Sequence, residues 1–137
     1  MKISPNALCP CHSGKKYKQC CQPYHKGIFP STAEKLMRSR YSAFALGLAE
    51  YIMATTHPNN SDYTEEKEDW KKSILNFSQS TRFLGLRISE FIDRENEAFV
   101  TFEAIFDGGS LCEKSRFLNV EGKWLYESGE FTSTDHR

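Results

Sequence analysis

The chain has 137 residues, of which 39% are hydrophobic and 13% aromatic, so it can bury the core of one ordinary domain and is not composed like a disordered chain. No stretch reaches the roughly 18 consecutive apolar residues of a membrane-spanning helix, and the first residues lack the apolar run of a signal peptide. We therefore expect a cytoplasmic protein without membrane insertion.

The formal net charge of zero hides a division along the chain. Residues 1–40 hold eight Lys or Arg and one acidic residue, a balance of +7, whereas residues 41–137 hold ten basic and seventeen acidic residues, a balance of −7. This asymmetry indicates a basic module facing an anionic partner, joined to an acidic body.

Four cysteines lie close together near the start of the chain, in the pattern C-x-C-x8-C-C: Cys9, Cys11, Cys20 and Cys21. Four thiolates from one loop suit tetrahedral Zn²⁺, and the loop has too few apolar residues to fold without a metal. Lys15, Lys16 and Lys18 lie near enough to offset the negative charge of a zinc tetrathiolate. The sequence therefore predicts one structural zinc ion held by the four cysteines.

Other interpretations of the cluster remain. Disulfides are rare in a reducing cytosol and would close small strained rings here, and the C-x-x-C spacing typical of redox sites is absent. His12 or His25 can replace one cysteine as a ligand. Cys112 falls in a predicted strand, where we expect it to be a buried hydrophobic residue.

Turn residues over residues 22–31 predict a connector, after which helical periodicity begins. Residues 32–55 are predicted to form one long helix with Ser31 or Thr32 as its N-cap. Its apolar stripe comprises Met37, Tyr41, Phe44, Leu48 and Ile52. A second helix is predicted to begin at Thr64, whose hydroxyl can cap it, with Trp70, Ile74 and Phe77 as the buried stripe.

Four short aromatic and β-branched runs follow, over residues 82–93, 98–107, 111–120 and 123–128. Two-residue turns at Gly108-Gly109 and Glu121-Gly122 predict hairpins between the last three runs, and a break of phase at Phe91 predicts a bulge in the first. Helices followed by an antiparallel meander indicate an α+β domain with its helices on one face of a curved sheet.

Strand alternation places Glu113 and Ser115 on the same aromatic face as Tyr126. A carboxylate among aromatic rings is costly unless it is hydrogen-bonded or lines a wet cavity, so these residues predict a pocket. Tyr41 and His57, on the first helix, can face it, with Arg38 or Arg40 as the counter-ion. The structural alternative is that Glu113 lies in a salt bridge, His57 caps the helix and the tyrosines are core rings.

The cysteine segment, Cys9-Pro10-Cys11-His12-Ser13-Gly14-Lys15-Lys16-Tyr17-Lys18-Gln19-Cys20-Cys21, closely resembles the SEC-C motif, a zinc-binding segment also found at the C-terminus of the SecA preprotein translocase. The remainder resembles the YchJ family through Arg38-Ser39-Arg40-Tyr41-Ser42-Ala43-Phe44, Thr56-His57-Pro58, Glu113-Lys114-Ser115-Arg116-Phe117 and Gly122-Lys123-Trp124-Leu125-Tyr126. This resemblance implies a SEC-C module over residues 1–25 that contacts partner proteins. It also implies a nuclear transport factor 2-like (cystatin-like) domain over residues 26–137, with a pocket between its helices and sheet.

These observations favour a zinc-binding interaction protein whose body binds a small apolar or peptide-like ligand. Two other functions remain open: an enzyme with Glu113 or His57 as general base and Tyr41 or Tyr126 as donor, and a nucleic-acid-binding protein that uses its basic N-terminal segment. A homodimer is also possible, because dimers are common for this fold. Loss of turnover in Glu113→Gln would favour the enzyme, and steep salt dependence of binding would favour nucleic acid.

Overall fold

The computed structural model describes residues 3–132 of the chain. A 3-10 turn at Tyr17–Gln19 and helix α1 at Gln22–His25 belong to the N-terminal segment. The helices of the body are α2 (Ala33–Leu46), α3 (Ala49–Ala54) and α4 (Lys67–Ser80). The strands are β1 (Phe83–Asp93), β2 (Glu97–Phe106), β3 (Gly109–Val120) and β4 (Lys123–Thr132).

The strands form one antiparallel meander in the order β1-β2-β3-β4, and α2 packs on its inner face. The core lies between them, with Leu36 of α2, Val100 of β2 and Phe117 of β3 essentially inaccessible to solvent. The α+β class with helices on one sheet face is confirmed. None of the helices within residues 3–132 has the length and apolar character needed to cross a membrane.

The prediction of one long helix over residues 32–55 is wrong, because the helix is interrupted at Gly47 and forms two helices, α2 and α3. Gly47 has φ 74°, and its amide bonds back to the carbonyls of Ala43 and Phe44, which is the left-handed cap that glycine favours. The apolar periodicity continues across the break, and for that reason the pattern alone did not reveal it. The predicted N-cap is confirmed, since the Thr32 hydroxyl accepts the amide N–H of Lys35.

Two further boundaries differ from the prediction. The connector over residues 22–31 begins with the single-turn helix α1, and α4 begins at Lys67 rather than at Thr64. The Thr64 hydroxyl accepts the amide N–H of Glu66 two residues on, a local turn that competes with helix capping.

The sheet register departs from the prediction in two places. Phe106 pairs with Gly109, so the β2–β3 turn is Asp107-Gly108 rather than the predicted Gly108-Gly109. The pairing of the two strands is therefore shifted by two residues from the prediction, and the same side chains still share a face. β4 extends beyond the predicted end at residue 128 to Thr132, and the pairing skips Glu127 opposite β3. The Glu121-Gly122 turn and a bulge in β1, at Ser89, are confirmed.

Candidate metal centre and ligand cavity

The four N-terminal cysteines converge on one point, with every pair of sulfur atoms within 4.8 Å. The Cys11 and Cys20 sulfurs are 3.5 Å apart, and those of Cys20 and Cys21 are 4.0 Å apart. A tetrahedral ion with metal–sulfur bonds of about 2.3 Å requires sulfur–sulfur separations of about 3.8 Å. The cluster therefore has the ligand type, number and spacing of a closed four-coordinate metal site.

The backbone forms this cluster through a short antiparallel turn. The amide of Cys9 donates to the carbonyl of Lys15, and the amide of Tyr17 donates to that of Ala7. Between these strands the chain reverses at His12 and Gly14, whose φ values of 64° and 88° are left-handed. The Ser13 hydroxyl lies 3.1 Å from the Cys20 sulfur, so it can donate to a thiolate there.

The thiols influence one another strongly because they are packed together and buried. Hydrogen bonds from Cys21 and Cys9 hold the pKa of Cys11 far below its ordinary value. The same contacts with Cys11 raise the pKa of Cys21 and of Cys9. Negative charge on one of these sulfurs therefore disfavours it on its neighbours, whereas a divalent metal would stabilise all four thiolates together.

Neither His12 nor His25, the two alternative ligands, belongs to the cluster of ligating atoms. Nε2 of His25 donates to the carbonyl of Ser39 at 2.8 Å, and Nδ1 accepts the hydroxyl of Tyr17 at 2.6 Å. Burial lowers the pKa of His25, in keeping with a neutral ring. His12 is exposed to solvent and packs edge-on against Tyr41. The cluster of ligating atoms in the described residues contains the cysteines and neither histidine.

The cysteine segment is docked on α2. Arg38 donates from Nη1 to the carbonyl of Cys11 at 3.2 Å and pairs with Glu34 one turn earlier. Leu46, at the other end of α2, is buried against Cys9, Cys11, Tyr17 and Cys21. Arg38 is therefore part of this contact and not the counter-ion of the pocket.

A cavity of about 330 Å³ lies between α2 and the inner face of the sheet. Aromatic rings make up most of its wall, and Phe83 packs edge-to-face with Phe77 and Phe106. Of the predicted pocket residues, the structure brings together Tyr41, Glu113, Ser115 and Tyr126. Residues that the sequence did not single out for the pocket also line it: Met37, Phe44, Asp62, Phe77, Phe83 and Phe131.

Glu113 is the polar centre of this cavity and is only 7% exposed. Its Oε2 atom accepts the hydroxyl groups of Ser115 and Tyr126, each at 2.7 Å. Burial, followed by the nearby Glu113 carboxylate, raises the pKa of Tyr126, so the phenol stays protonated as a donor. The salt bridge considered for Glu113 is not formed, and hydroxyl donors satisfy this carboxylate oxygen instead.

Arg40 borders the same cavity from α2. Its Nη1 donates to the carbonyl of Ile52 and to the hydroxyls of Thr55 and Thr56, and its guanidinium stacks 4.7 Å from the centre of the Tyr126 ring. Burial lowers the pKa of Arg40 to about 10, so the group remains cationic at neutral pH. Of the two predicted counter-ions, Arg40 is the one that reaches the cavity.

His57 does not line the cavity. Its amide donates to the carbonyl of Tyr126 at 2.8 Å, and the amide of Tyr126 donates to Thr55, so the chain after α3 is tied to β4 and positions the tyrosine. Its ring accepts the amide of Asn59, as in a local turn. Cys112 is half-buried rather than fully buried.

Gly129 and Phe131 are two further residues of the site that sequence reasoning missed. The skipped pairing at Glu127 turns both toward the helices, with Gly129 opposite Ser115 and Phe131 opposite Glu113. A Cβ atom at position 129 would overlap the Glu113 carboxylate and lie 2.8 Å from the Tyr126 hydroxyl. Glycine is thus required where backbone and carboxylate approach closely.

Comparison with known families assigns the two parts of the chain. Residues 32–129 match the model of the YchJ middle NTF2-like domain, and residues 6–23 match the SEC-C motif. The chain belongs to the YchJ family. A UPF0225 protein of Streptomyces coelicolor is 40% identical over 93% of this chain and 98% of its own length. One from Vibrio vulnificus is 42% identical over 91% of this chain and 75% of its own.

Solved structures support the same fold. A SEC-C motif containing protein from Rhodopseudomonas palustris is 33% identical, with a TM-score of 0.76 over 91% of this chain and 98% of that one. One from Psychrobacter arcticus is 30% identical, with a TM-score of 0.73 over 93% of this chain and 84% of that one. The NTF2-like fold preceded by a SEC-C segment is therefore confirmed for this YchJ protein.

Proposed function

We propose that this YchJ protein is a zinc-dependent binding protein: one structural Zn²⁺ orders the SEC-C segment, which contacts a partner protein, and the body binds a small, largely apolar or peptide-like ligand. The observation that carries the ligand-binding function is the buried Glu113, which stands at the polar end of an aromatic cavity of about 330 Å³. That volume lies at the lower end of the range for small-molecule sites, which are mostly apolar with few polar groups.

The zinc assignment follows from the donor set. Four sulfur ligands in a tetrahedral arrangement favour zinc or an iron–sulfur centre, and a closed site without an open position is typical of structural zinc. Metal analysis of untagged protein tests it, with one zinc per chain expected. Cys20→Ser should lose the metal, whereas Cys112→Ser, a matched change outside the cluster, should retain it. Full zinc content in Cys20→Ser, or iron with visible absorption in the wild type, would contradict the assignment.

The ligand-binding function is tested by filling the cavity. Ala104 is 2% exposed and lines the cavity, so Ala104→Leu should occupy part of it. We expect propylbenzene to shift methyl and aromatic NMR signals of cavity residues in the wild type and to bind at least tenfold more weakly to Ala104→Leu. Ala54→Leu, on the exposed face of α3, is the control. Equal binding to both variants would contradict a ligand site in this cavity.

The partner function rests on the basic, exposed side of the SEC-C segment. Lys15, Lys16 and Lys18 are exposed there, and Leu8 is 68% exposed nearby. Charged groups of one sign around an apolar contact favour an acidic protein surface. Crosslinking in nuclease-treated extract should therefore give a defined adduct that Lys15→Glu/Lys16→Glu abolishes and Lys67→Glu/Lys72→Glu on α4 leaves intact. An adduct that disappears on nuclease treatment would indicate nucleic acid instead.

A further inference from the structure

The polar end of the cavity holds two buried side chains of opposite charge that do not pair with each other. Arg40 is 9% exposed and Glu113 is 7% exposed, and both line the cavity. Within residues 3–132, no ion pair of 4.0 Å or less joins them. Neutral hydrogen-bond partners, rather than an opposite charge, satisfy part of each group, and this leaves further hydrogen-bonding capacity for a ligand in the cavity.

Each of these groups has polar atoms left over. Both hydrogen bonds to Glu113 end on Oε2, which leaves Oε1 without a protein donor. The three hydrogen bonds from Arg40 all start at Nη1, which leaves the N–H groups on Nη2 and Nε. In the described part of the chain no fully buried side-chain nitrogen or oxygen lacks a partner, so these leftover atoms keep some accessible surface. One acceptor and several donors are therefore available to a ligand.

The charge balance of the cavity selects the class of ligand head. A cationic head would pair with Glu113 but bring a second positive charge toward Arg40, and an anionic head would bring a second negative charge toward Glu113. The third charged residue that lines the cavity, Asp62, is exposed to solvent and needs no partner from the ligand. A purely apolar ligand would leave both groups dry and unpaired. A neutral group that presents one N–H and one carbonyl oxygen satisfies both sides without adding net charge.

We propose that the cavity binds a small neutral carboxamide or lactam with an aromatic or aliphatic body, its N–H donating to Glu113 and its carbonyl oxygen accepting from Arg40. The inference rests on the proposed ligand-binding function and names the ligand class. The body of the ligand lies among Phe83, Phe102 and Phe106, and Phe131, 68% exposed, stands at the mouth.

Four probes that share a phenylpropyl body separate this inference from the proposed function: 3-phenylpropanamide, 3-phenylpropanoate, 3-phenylpropylammonium and propylbenzene. Affinities for the wild-type, zinc-loaded protein are measured by NMR titration at one pH and ionic strength. We expect the amide to bind about tenfold or more tightly than each of the others, the factor that one hydrogen bond to a charged group contributes. Preference for the acid or the amine, or equal binding of propylbenzene, would overturn the amide assignment while leaving an apolar ligand site. Absence of binding by all four would overturn both.

A reversal of polarity at one side chain gives a second test. Glu113→Gln can still accept from Tyr126 with its carbonyl oxygen, but it turns an NH₂ group toward the ligand. The amide probe should then lose about tenfold in affinity, and 3-phenylpropanoate, which accepts from both the introduced NH₂ group and Arg40, should gain. Glu95→Gln, exposed between β1 and β2, is the matched control and should change neither affinity. An unchanged order of affinities in folded Glu113→Gln, checked by its NMR spectrum, would contradict the proposed contact.

Discussion

Gly129→Ala should be strongly destabilising although glycine is replaced by the smallest side chain. Its Cβ would overlap the Oε2 and Cδ atoms of Glu113, and these belong to a buried, hydrogen-bonded group with little room to move. Displacing the carboxylate breaks the hydrogen bond from Tyr126, which costs about 1.5–3 kcal/mol for a charged acceptor. Rotation away from a preferred side-chain conformation adds about 0.5–1.5 kcal/mol. The free energy of unfolding should therefore fall by about 2–4.5 kcal/mol.

The control is Gly108→Ala in the β2–β3 turn. A Cβ there meets no atom within 4 Å, and Gly108 lacks a positive φ, so the same chemical change should be neutral or slightly stabilising. Urea unfolding followed by circular dichroism measures both variants. With a slope of about 2 kcal/mol per molar, the Gly129→Ala midpoint should fall by roughly 1–2 M. Midpoints within about 0.3 M of each other, a difference of about 0.6 kcal/mol, would refute the close-packing argument.

Three more predictions concern the frame around the two sites. Removing the metal with a chelator should broaden or shift the amide NMR signals of residues 6–23, because the cysteine segment has little apolar core of its own. The amide signals of the β2–β3 hairpin should stay in place. An unchanged spectrum in metal-free protein would contradict this prediction. His25→Phe keeps an aromatic ring at this position but loses the hydrogen bonds to Tyr17 and Ser39, so it should lower the free energy of unfolding by about 1–3 kcal/mol. The same change at the control position, His57→Phe, should lower the free energy of unfolding clearly less. Gly47→Ala should cost about 1–2 kcal/mol in urea unfolding because φ is 74° there, and a cost below that of Gly108→Ala would show that the left-handed cap is not required.

The cysteine cluster could be predicted from sequence because it depends only on residues close together in the chain. Four cysteines lie within one short loop, and the turn residues between them bring the sulfurs together independently of the rest of the chain. What the sequence did not reveal was the docking: Arg38 was considered a counter-ion for the pocket, yet it binds the carbonyl of Cys11. The periodicity of a helix indicates which side chains share one face, but it does not show whether that face packs on the sheet or on the cysteine segment.

The pocket was partly predictable for a different reason. Side chains alternate between the two faces of a strand, so a shift of two residues in the pairing leaves each side chain on the same face. The predicted inner face of β3 is therefore correct although the turn is Asp107-Gly108 and not Gly108-Gly109. Glu113 and Ser115 were therefore placed correctly with Tyr126. A bulge changes that parity, and the one at Glu127 puts Gly129 and Phe131 on the inner face. Gly129 itself is the sequence signal for this irregularity, since an isolated glycine among strand residues indicates a bulge or a close approach. The break at Gly47 carries a similar signal, a glycine in a helical pattern, which the continuing periodicity outweighs.

Helix α2 stands between the two sites, and this position explains the residue types of its central run. Successive residues on a helix point about 100° apart, so neighbours in sequence serve different faces. Arg38 donates to the carbonyl of Cys11 in the cysteine segment, and the Ser39 carbonyl accepts from His25 of α1, whereas Arg40 borders the cavity. Tyr41 touches both, since its ring meets His12 and lines the cavity while its hydroxyl donates to Gly85 of β1. Because the N-terminal segment contacts Arg38 and Tyr41, it also constrains the rotation of α2, and with it the side of the helix from which Arg40 reaches the cavity.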